Sequence, residues 1–190
     1  MSVPSESKRR PATGVLLAAG AGTRYGSPKV LAAQGQWLRD AVSALAGGGC
    51  DDVVVVLGAA MVDVPAPARA VVAEGWADGM SASLRAGLAA VAATSDLAVL
   101  HLVDTPDVGA DVVARVLAAA RGSTAGLARA VFGGRPGHPV VIARRHWPAL
   151  RTSLRGDQGA RDFLRGRTDV VAVECGDLAS GVDVDYPPGR

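Results

Sequence analysis

One stretch of this chain carries residues suited to holding an anion: Gly20-Ala21-Gly22-Thr23-Arg24-Tyr25-Gly26-Ser27-Pro28-Lys29. Its glycines permit close backbone approach to a ligand and positive φ angles. Backbone N–H groups aimed into such a loop, together with Arg24 and Lys29, suit a phosphate. The spacing excludes the two commonest phosphate loops. A G-x-G-x-x-G fingerprint would place its third glycine where Tyr25 stands, and a Walker A loop needs Gly-Lys-Ser/Thr together, whereas Ser27 and Pro28 separate Gly26 from Lys29. An ordinary strand-to-helix turn is the bland alternative. The chain strongly prefers arginine, and its only lysines are Lys8 and Lys29. A compact ammonium is not interchangeable with a guanidinium fork at a crowded phosphate, which favours a chemical role for Lys29.

Acidic residues that could face a ligand stand elsewhere. The apolar run Leu97–Val103 leads directly into Asp104-Thr105-Pro106. A carboxylate at the C-terminal end of a central parallel strand sits where open α/β sheets bind ligands. A turn-forming aspartate is the plainer reading. In the tail, Asp183 and Asp185 share one side of an extended segment by period-two alternation.

Gly79-Met80-Ser81-Ala82-Ser83 opens a helix expected to run to about Ala93, with Met80, Leu84, Gly87, Leu88 and Val91 inward. Its first-turn N–H groups suit an anion or a polar ligand edge, and simple capping explains Ser81 equally well. It is no nucleophile elbow, because Ser83 stands where the last glycine belongs. Gly133 to His138 reads as a long loop between two strands, either a substrate-binding loop through Arg135 and His138 or a plain surface hairpin. Asp157 reads as the N-cap of a short helix containing Phe163 and Leu164.

These residues must be positioned by alternating strands and helices. Apolar runs at 14–17, 53–57 and 97–103 read as strands buried on both faces, hence parallel sheet covered by helices. Further strands are expected at 69–73, 127–132, 139–142 and 169–174, with helices after the glycine loop and over about 110–120. The fold expected is α/β: a three-layer, mostly parallel, doubly wound sheet with an added antiparallel strand region in the C-terminal half. A disordered leader is expected over 1–12, including the Lys8-Arg9-Arg10 cluster, and a single domain over 13–190.

With 190 residues, net charge +2 and scattered basic groups, the chain shows no nucleic-acid footprint. No apolar stretch approaches a membrane span, and a cytoplasmic protein is the expectation. Cys50 and Cys175 are far apart, and neither they nor His101, His138 and His146 show metal-ligand spacing.

Taken together, these segments resemble the MobA-like NTP transferases, and within them the molybdenum cofactor cytidylyltransferases. The resemblance rests on Leu17–Lys29, Trp76–Gly87, Asp104-Thr105-Pro106, Gly137-His138-Pro139, Gly156–Arg161 and Asp183-Val184-Asp185. It implies a nucleotidyltransferase, Rossmann-like fold and transfer of a nucleotidyl group from an NTP to the terminal phosphate of molybdopterin or molybdenum cofactor. Residue by residue, it implies that Leu17, Ala18, Ala19, Gly20 and Gly22 hold base and phosphates. Lys29 and Arg24 would contact phosphates, with Gly79 and Ser81 by the base or ribose. Asp104 would ligate Mg²⁺ with Asp185, or less simply Asp183, as second ligand, and Gly137-His138-Pro139 would face the acceptor. Ala19, where GTP-using relatives have glycine, implies CTP rather than GTP or another NTP, and a molybdenum hydroxylase is an implied recipient of the product. Two departures, Val103 before Asp104 and Tyr186 after Asp185, point to an altered acceptor. A sugar phosphate or other small phosphorylated metabolite is the alternative acceptor. A non-catalytic molybdenum-cofactor handling protein is the alternative role.

Overall fold

The computed structural model describes residues 10–186. A seven-stranded sheet forms its middle layer, built from β1 (Ala12–Leu17), β2 (Asp52–Leu57), β3 (Arg69–Val72), β4 (Leu97–Leu102), β5 (Leu127–Phe132), β6 (Arg135–Ala143) and β7 (Val171–Glu174). Its order is β3-β2-β1-β4-β6-β5-β7. The pairs β1–β2, β1–β4, β2–β3 and β5–β7 are parallel, whereas β4–β6 and β5–β6 are antiparallel. One strand, β6, therefore runs against the others. This is the α/β sheet expected from the sequence, with the antiparallel region in the C-terminal half.

Helices α1 (Ala32–Gly47) and α3 (Ala110–Gly122) cover one face of the sheet. There Leu16, Val55 and Val99 pack with Leu38, Val42, Leu45, Val112 and Val116. Helices α2 (Met80–Ala90), α4 (Trp147–Ser153) and α5 (Arg161–Leu164) cover the other, where Val15, Val56 and Leu100 pack with Leu84, Leu88, Leu150 and Phe163. Neighbouring residues Val15 and Leu16 thus enter opposite layers. This is why β1, β2 and β4 read as continuous apolar runs and not as alternating patterns.

Several local expectations are corrected. The run 133–138 is not a long loop. Gly133 and Gly134, with φ of 58° and 78°, make a two-residue hairpin turn, and β6 already begins at Arg135. Glu174 fixes that turn by accepting from the N–H groups of Gly133 (2.9 Å), Gly134 (3.2 Å) and Gly176 (2.8 Å). Helix α2 stops at Ala90, because Val91 is already extended, and Met80 lies exposed at its start instead of inward. Helix α5 begins at Arg161 with Ala160 as its N-cap, so Asp157 does not cap it. Of the leader expected over 1–12, residues 1–9 lie outside the described residues. Ala12 is in β1, and Pro11 O accepts from Asp96 N and Leu97 N at 2.8 and 3.1 Å.

Helix α2 approaches the sheet closely at Gly87. A Cβ there would stand 2.5 Å from Val15 Cγ1 and 3.0 Å from Val56 Cγ2. That contact sets how near the helix N-terminus comes to the end of β1. Gly87→Val is expected to push α2 off the sheet and lower stability by about 1–3 kcal/mol, measured by urea unfolding. An unchanged midpoint would show that the helix has room to move.

Candidate functional site

The central parallel strands β1 and β4 end together, and each releases a loop into one cleft of about 510 Å³. The glycine loop forms one wall. Gly22 has φ of 61°, and a Cβ on it would fall 1.9 Å from Ser27 O, so only glycine lets the chain fold back here. Gly26 N then closes the turn on Gly22 O at 2.8 Å, and the Tyr25 ring rests against Trp37 of α1, centroids 5.4 Å apart. Among the described residues, the N–H groups of Gly20, Ala21, Gly22 and Thr23 donate to no protein acceptor. They form an unsatisfied donor cradle of the kind anions fill.

Beyond this loop, Lys29 begins a single 3-10 turn, Lys29–Leu31, that enters α1. Its Nζ donates to Asp104 Oδ2 at 2.8 Å and to Asp185 Oδ1 at 3.0 Å. Arg24 also reaches Asp185, at 3.3 Å. Burial pulls the Lys29 ammonium down, but the hydrogen bonds to Asp104 and Asp185 and their charges outweigh it and leave its pKa above the ordinary value. Asp185 is held below the usual carboxylate range, first by its bond to Lys29. Asp183 is pushed up by burial, with the charges of Asp104 and Asp185 adding to it.

Asp104 owes its place to the turn after β4, where Thr105 Oγ1 bonds Leu102 O at 3.2 Å. The tail is brought to it by two ties. Val184 N donates to Asp104 O at 2.9 Å, and Asp107 accepts from Ser180 N and Oγ at 2.6 Å each. The Oδ1 of Asp104 is buried and has no partner. An orphaned carboxylate oxygen beside a second carboxylate is a hard-oxygen donor set that suits a divalent cation. Among the described residues no three His, Cys, Asp or Glu side chains gather as a metal site, so such a cation would draw its other ligands from substrate and water.

The structure places Leu17, Ala18, Ala19, Gly20, Gly22, Arg24, Lys29, Gly79, Asp104 and Asp185 on this cleft. Ser81 is not on it. Its N–H donates to Gly156 O at 3.0 Å, and Ala82 N bonds Gly79 O, so two first-turn donors of α2 are already used. Ser83 lines the cleft in its stead, as do Trp76 and Asp157. Asp157 gets there because Gly79, at φ 110°, leaves room for its carboxylate: a Cβ on Gly79 would meet Asp157 Oδ1 at 2.6 Å. Its tertiary neighbour had no sequence signal, although the Gly156–Arg161 motif did mark the segment.

A second cleft of about 560 Å³ adjoins the first through Asp185. Gly137 and His138 line it, while Pro139 is buried within β6. Arg129, Arg135 and Arg161 line it too, and of these only Arg135 belonged to the expected loop.

The fold and the cleft together define an α/β domain of the nucleotidyltransferase kind. The chain belongs to the MobA-like NTP transferase domain family, which it matches over residues 14–172. It is 41% identical over 187 residues to the nicotine blue oxidoreductase of Paenarthrobacter nicotinovorans, covering 91% of each chain. Among solved structures it is similar to Rv0371c from Mycobacterium tuberculosis H37Rv, with 29% identity, TM-score 0.75, and 93% and 94% of the two chains covered. The same protein in complex with manganese matches with 26% identity, TM-score 0.70, and 92% and 94% coverage. The 4-diphosphocytidyl-2C-methyl-D-erythritol synthase of Anaerococcus prevotii, 14% identical with TM-score 0.66 and 93% coverage of both chains, shares the fold.

His101 lies behind the site on β4, fully buried, with both ring nitrogens unpartnered. Burial, with the charge of His138 adding to it, lowers its pKa to about 3 despite the opposing pull of Asp104, and burial with Arg129 lowers that of His138 to about 4. Both are neutral when folded at neutral pH, whereas in the unfolded chain they take up protons near 6.5. Between those values the unfolded chain binds more protons, so stability falls as pH drops from 6.5 toward 4 and continues falling toward 3. The urea midpoint is expected to be lower at pH 5 than at pH 7, and His101→Leu to flatten that slope. A midpoint independent of pH over this window would contradict the burial of neutral histidines.

Proposed function

We propose that the chain is a divalent-cation-dependent nucleotidyltransferase that moves a cytidylyl group from CTP to the terminal phosphate of molybdopterin or molybdenum cofactor and releases pyrophosphate. The observation that carries this reading is the Lys29 ammonium held between Asp104 and Asp185 at the mouth of a loop with free N–H donors. Nucleotidyl transfer asks a protein to bring two anions together and to neutralise the charge that develops. An acceptor that is already a phosphate needs no protein nucleophile. The site accordingly relies on charge and donors.

In this reading the N–H groups of Gly20 to Thr23 orient the triphosphate, and Lys29 exchanges a carboxylate for a phosphate oxygen when the nucleotide enters. Arg24, exposed beside Asp185, turns to the same charge. Asp104 and Asp185 would hold Mg²⁺, which supplies neutralisation of the phosphates during attack at the α-phosphorus. The unpartnered Asp104 Oδ1 and the manganese complex of Rv0371c support this assignment. The second cleft receives the acceptor along Gly137 and His138. Ala19 favours CTP by resemblance.

A screen of four NTPs against molybdopterin and common sugar phosphates, read by pyrophosphate release, tests the reading. CTP with molybdopterin is the expected productive pair. Lys29→Ala and Asp104→Ala are each expected to lose on the order of a hundredfold or more. Unchanged rates in both variants would sink the assignment. Turnover with a sugar phosphate alone would keep the chemistry and replace the acceptor.

A second reading follows from one observation, the 41% identity to nicotine blue oxidoreductase. On that reading the protein would act on nicotine blue as an oxidoreductase, with the two contiguous clefts joined at Asp185 holding the dye and an electron donor. Bleaching of nicotine blue by the protein and a reduced pyridine dinucleotide, with no pyrophosphate release from any NTP, would select it.

A further inference from the structure

The second cleft holds more positive charge than the fold itself uses. Its walls are the β5–β6 hairpin, the tail segment around Ser180 to Asp185, and Arg161 at the start of α5. Outside this cleft, Arg24, Arg69, Arg115, Arg165 and Arg167 each face a carboxylate. In this cleft Arg129, Arg135 and Arg161 form no ion pair among the described residues. Arg129 is half-buried, and its Nε donates to Gly137 O at 3.3 Å. Burial, and then the positive charge of Arg161, hold its guanidinium below its ordinary pKa. Two cations that work against each other in a partly buried concave site are a cost that a bound anion removes.

The other polar groups of the cleft leave that charge in place. His138 is neutral, its pKa lowered to about 4 by burial and by Arg129. Asp185 is engaged by Lys29 and Arg24, and the Ser180 hydroxyl is committed to Asp107. Asp183 also lines the cleft and offsets one of the three arginine charges, leaving an excess of positive charge. Guanidinium forks match the planar spread of phosphate oxygens better than an ammonium does.

We propose that the second cleft is a subsite for a dianionic phosphate group, held by Arg129 and Arg161 with the exposed Arg135 beside them. The proposal deepens the transfer reading, on which it rests for its ligand class: the acceptor enters as a phosphate monoester, and these arginines are what recognise it. Gly137 has a defined part. Its carbonyl orients Arg129, and it lies so close to Phe132 that a Cβ there would come 2.7 Å from the ring. A larger residue would therefore displace the strand that aims the arginine.

The site is tested by titrating the full chain with inorganic phosphate, without nucleotide or metal, and following backbone amide resonances by NMR. Shifts are expected at Gly137, His138 and the tail around Ser180 and Gly181, and equal concentrations of acetate, a monoanion, should leave them still. Arg161 is exposed, so Arg161→Met should fold normally and weaken phosphate binding roughly tenfold to a hundredfold, the scale of a charge-assisted hydrogen bond. Arg161→Lys should recover only part of it. Shifts confined to the Gly20–Thr23 loop, or an unchanged affinity in Arg161→Met, overturn the subsite. Loss of pyrophosphate release with phosphate binding intact strikes the transfer reading instead, so the two failures are told apart.

Discussion

The ammonium of Lys29 between Asp104 and Asp185 is the contact on which the rest of the site depends. It joins segments 75 and 156 residues apart in the chain. With Lys29 largely sheltered and Asp185 more open, at 14% and 41% exposure, the pairing is screened on its tail side and not on its Asp104 side. That asymmetry has a chemical meaning. Asp104 sits in the strand-end turn after β4, whereas Asp185 is carried by a tail tied at Ser180 and Val184. A lysine so placed balances two carboxylates.

The sheet exists, for the site's purposes, to bring that lysine and those carboxylates together. β1 and β4 are parallel neighbours in register from Ala12↔Leu97 to Leu17↔Leu102, so the glycine loop and the Asp104 turn emerge side by side. Ligands of open α/β sheets gather at such strand ends. The reversed strand β6 does the opposite work. By running antiparallel between β4 and β5, it carries Gly137 and His138 to the same end of the sheet, where a second cleft forms against the tail. The two clefts meet at Asp185.

The relatives sharpen this and widen it. The family match accounts for the fold and the loop, while a 41% identical relative bears an oxidoreductase's name. Both readings would use the same two clefts. What separates them is whether the Asp104–Asp185 pair receives a cation and a triphosphate. The fold alone is indifferent to that choice.

Much of the architecture was legible in the residues themselves. The valine run of β2 and the apolar runs of β1 and β4 specify buried parallel strands because both faces must be covered, and the glycine loop declares a close backbone approach. Lys29, Arg24 and Asp104 could be chosen from type and position, Asp185 over Asp183 only from the family resemblance, and the structure brings all four to one cleft. The errors share one cause. Asp157 was read as a local cap, Ser81 as either a free first-turn group or a cap, and Gly133 to His138 as a long loop, each from its own neighbours in sequence. Their actual places were set by distant segments: Gly79 makes room for Asp157, Gly156 takes the Ser81 N–H, and Glu174 pins the hairpin turn. The sequence by itself determined the strands, the glycine loop and the residues able to carry charge, since these follow from local periodicity and backbone freedom. Only the tertiary structure decided that Arg129, Arg135 and Arg161 share a cleft and that Asp104 and Asp185 both reach one lysine. Long-range packing sets such neighbours, and no spacing along the chain encodes it.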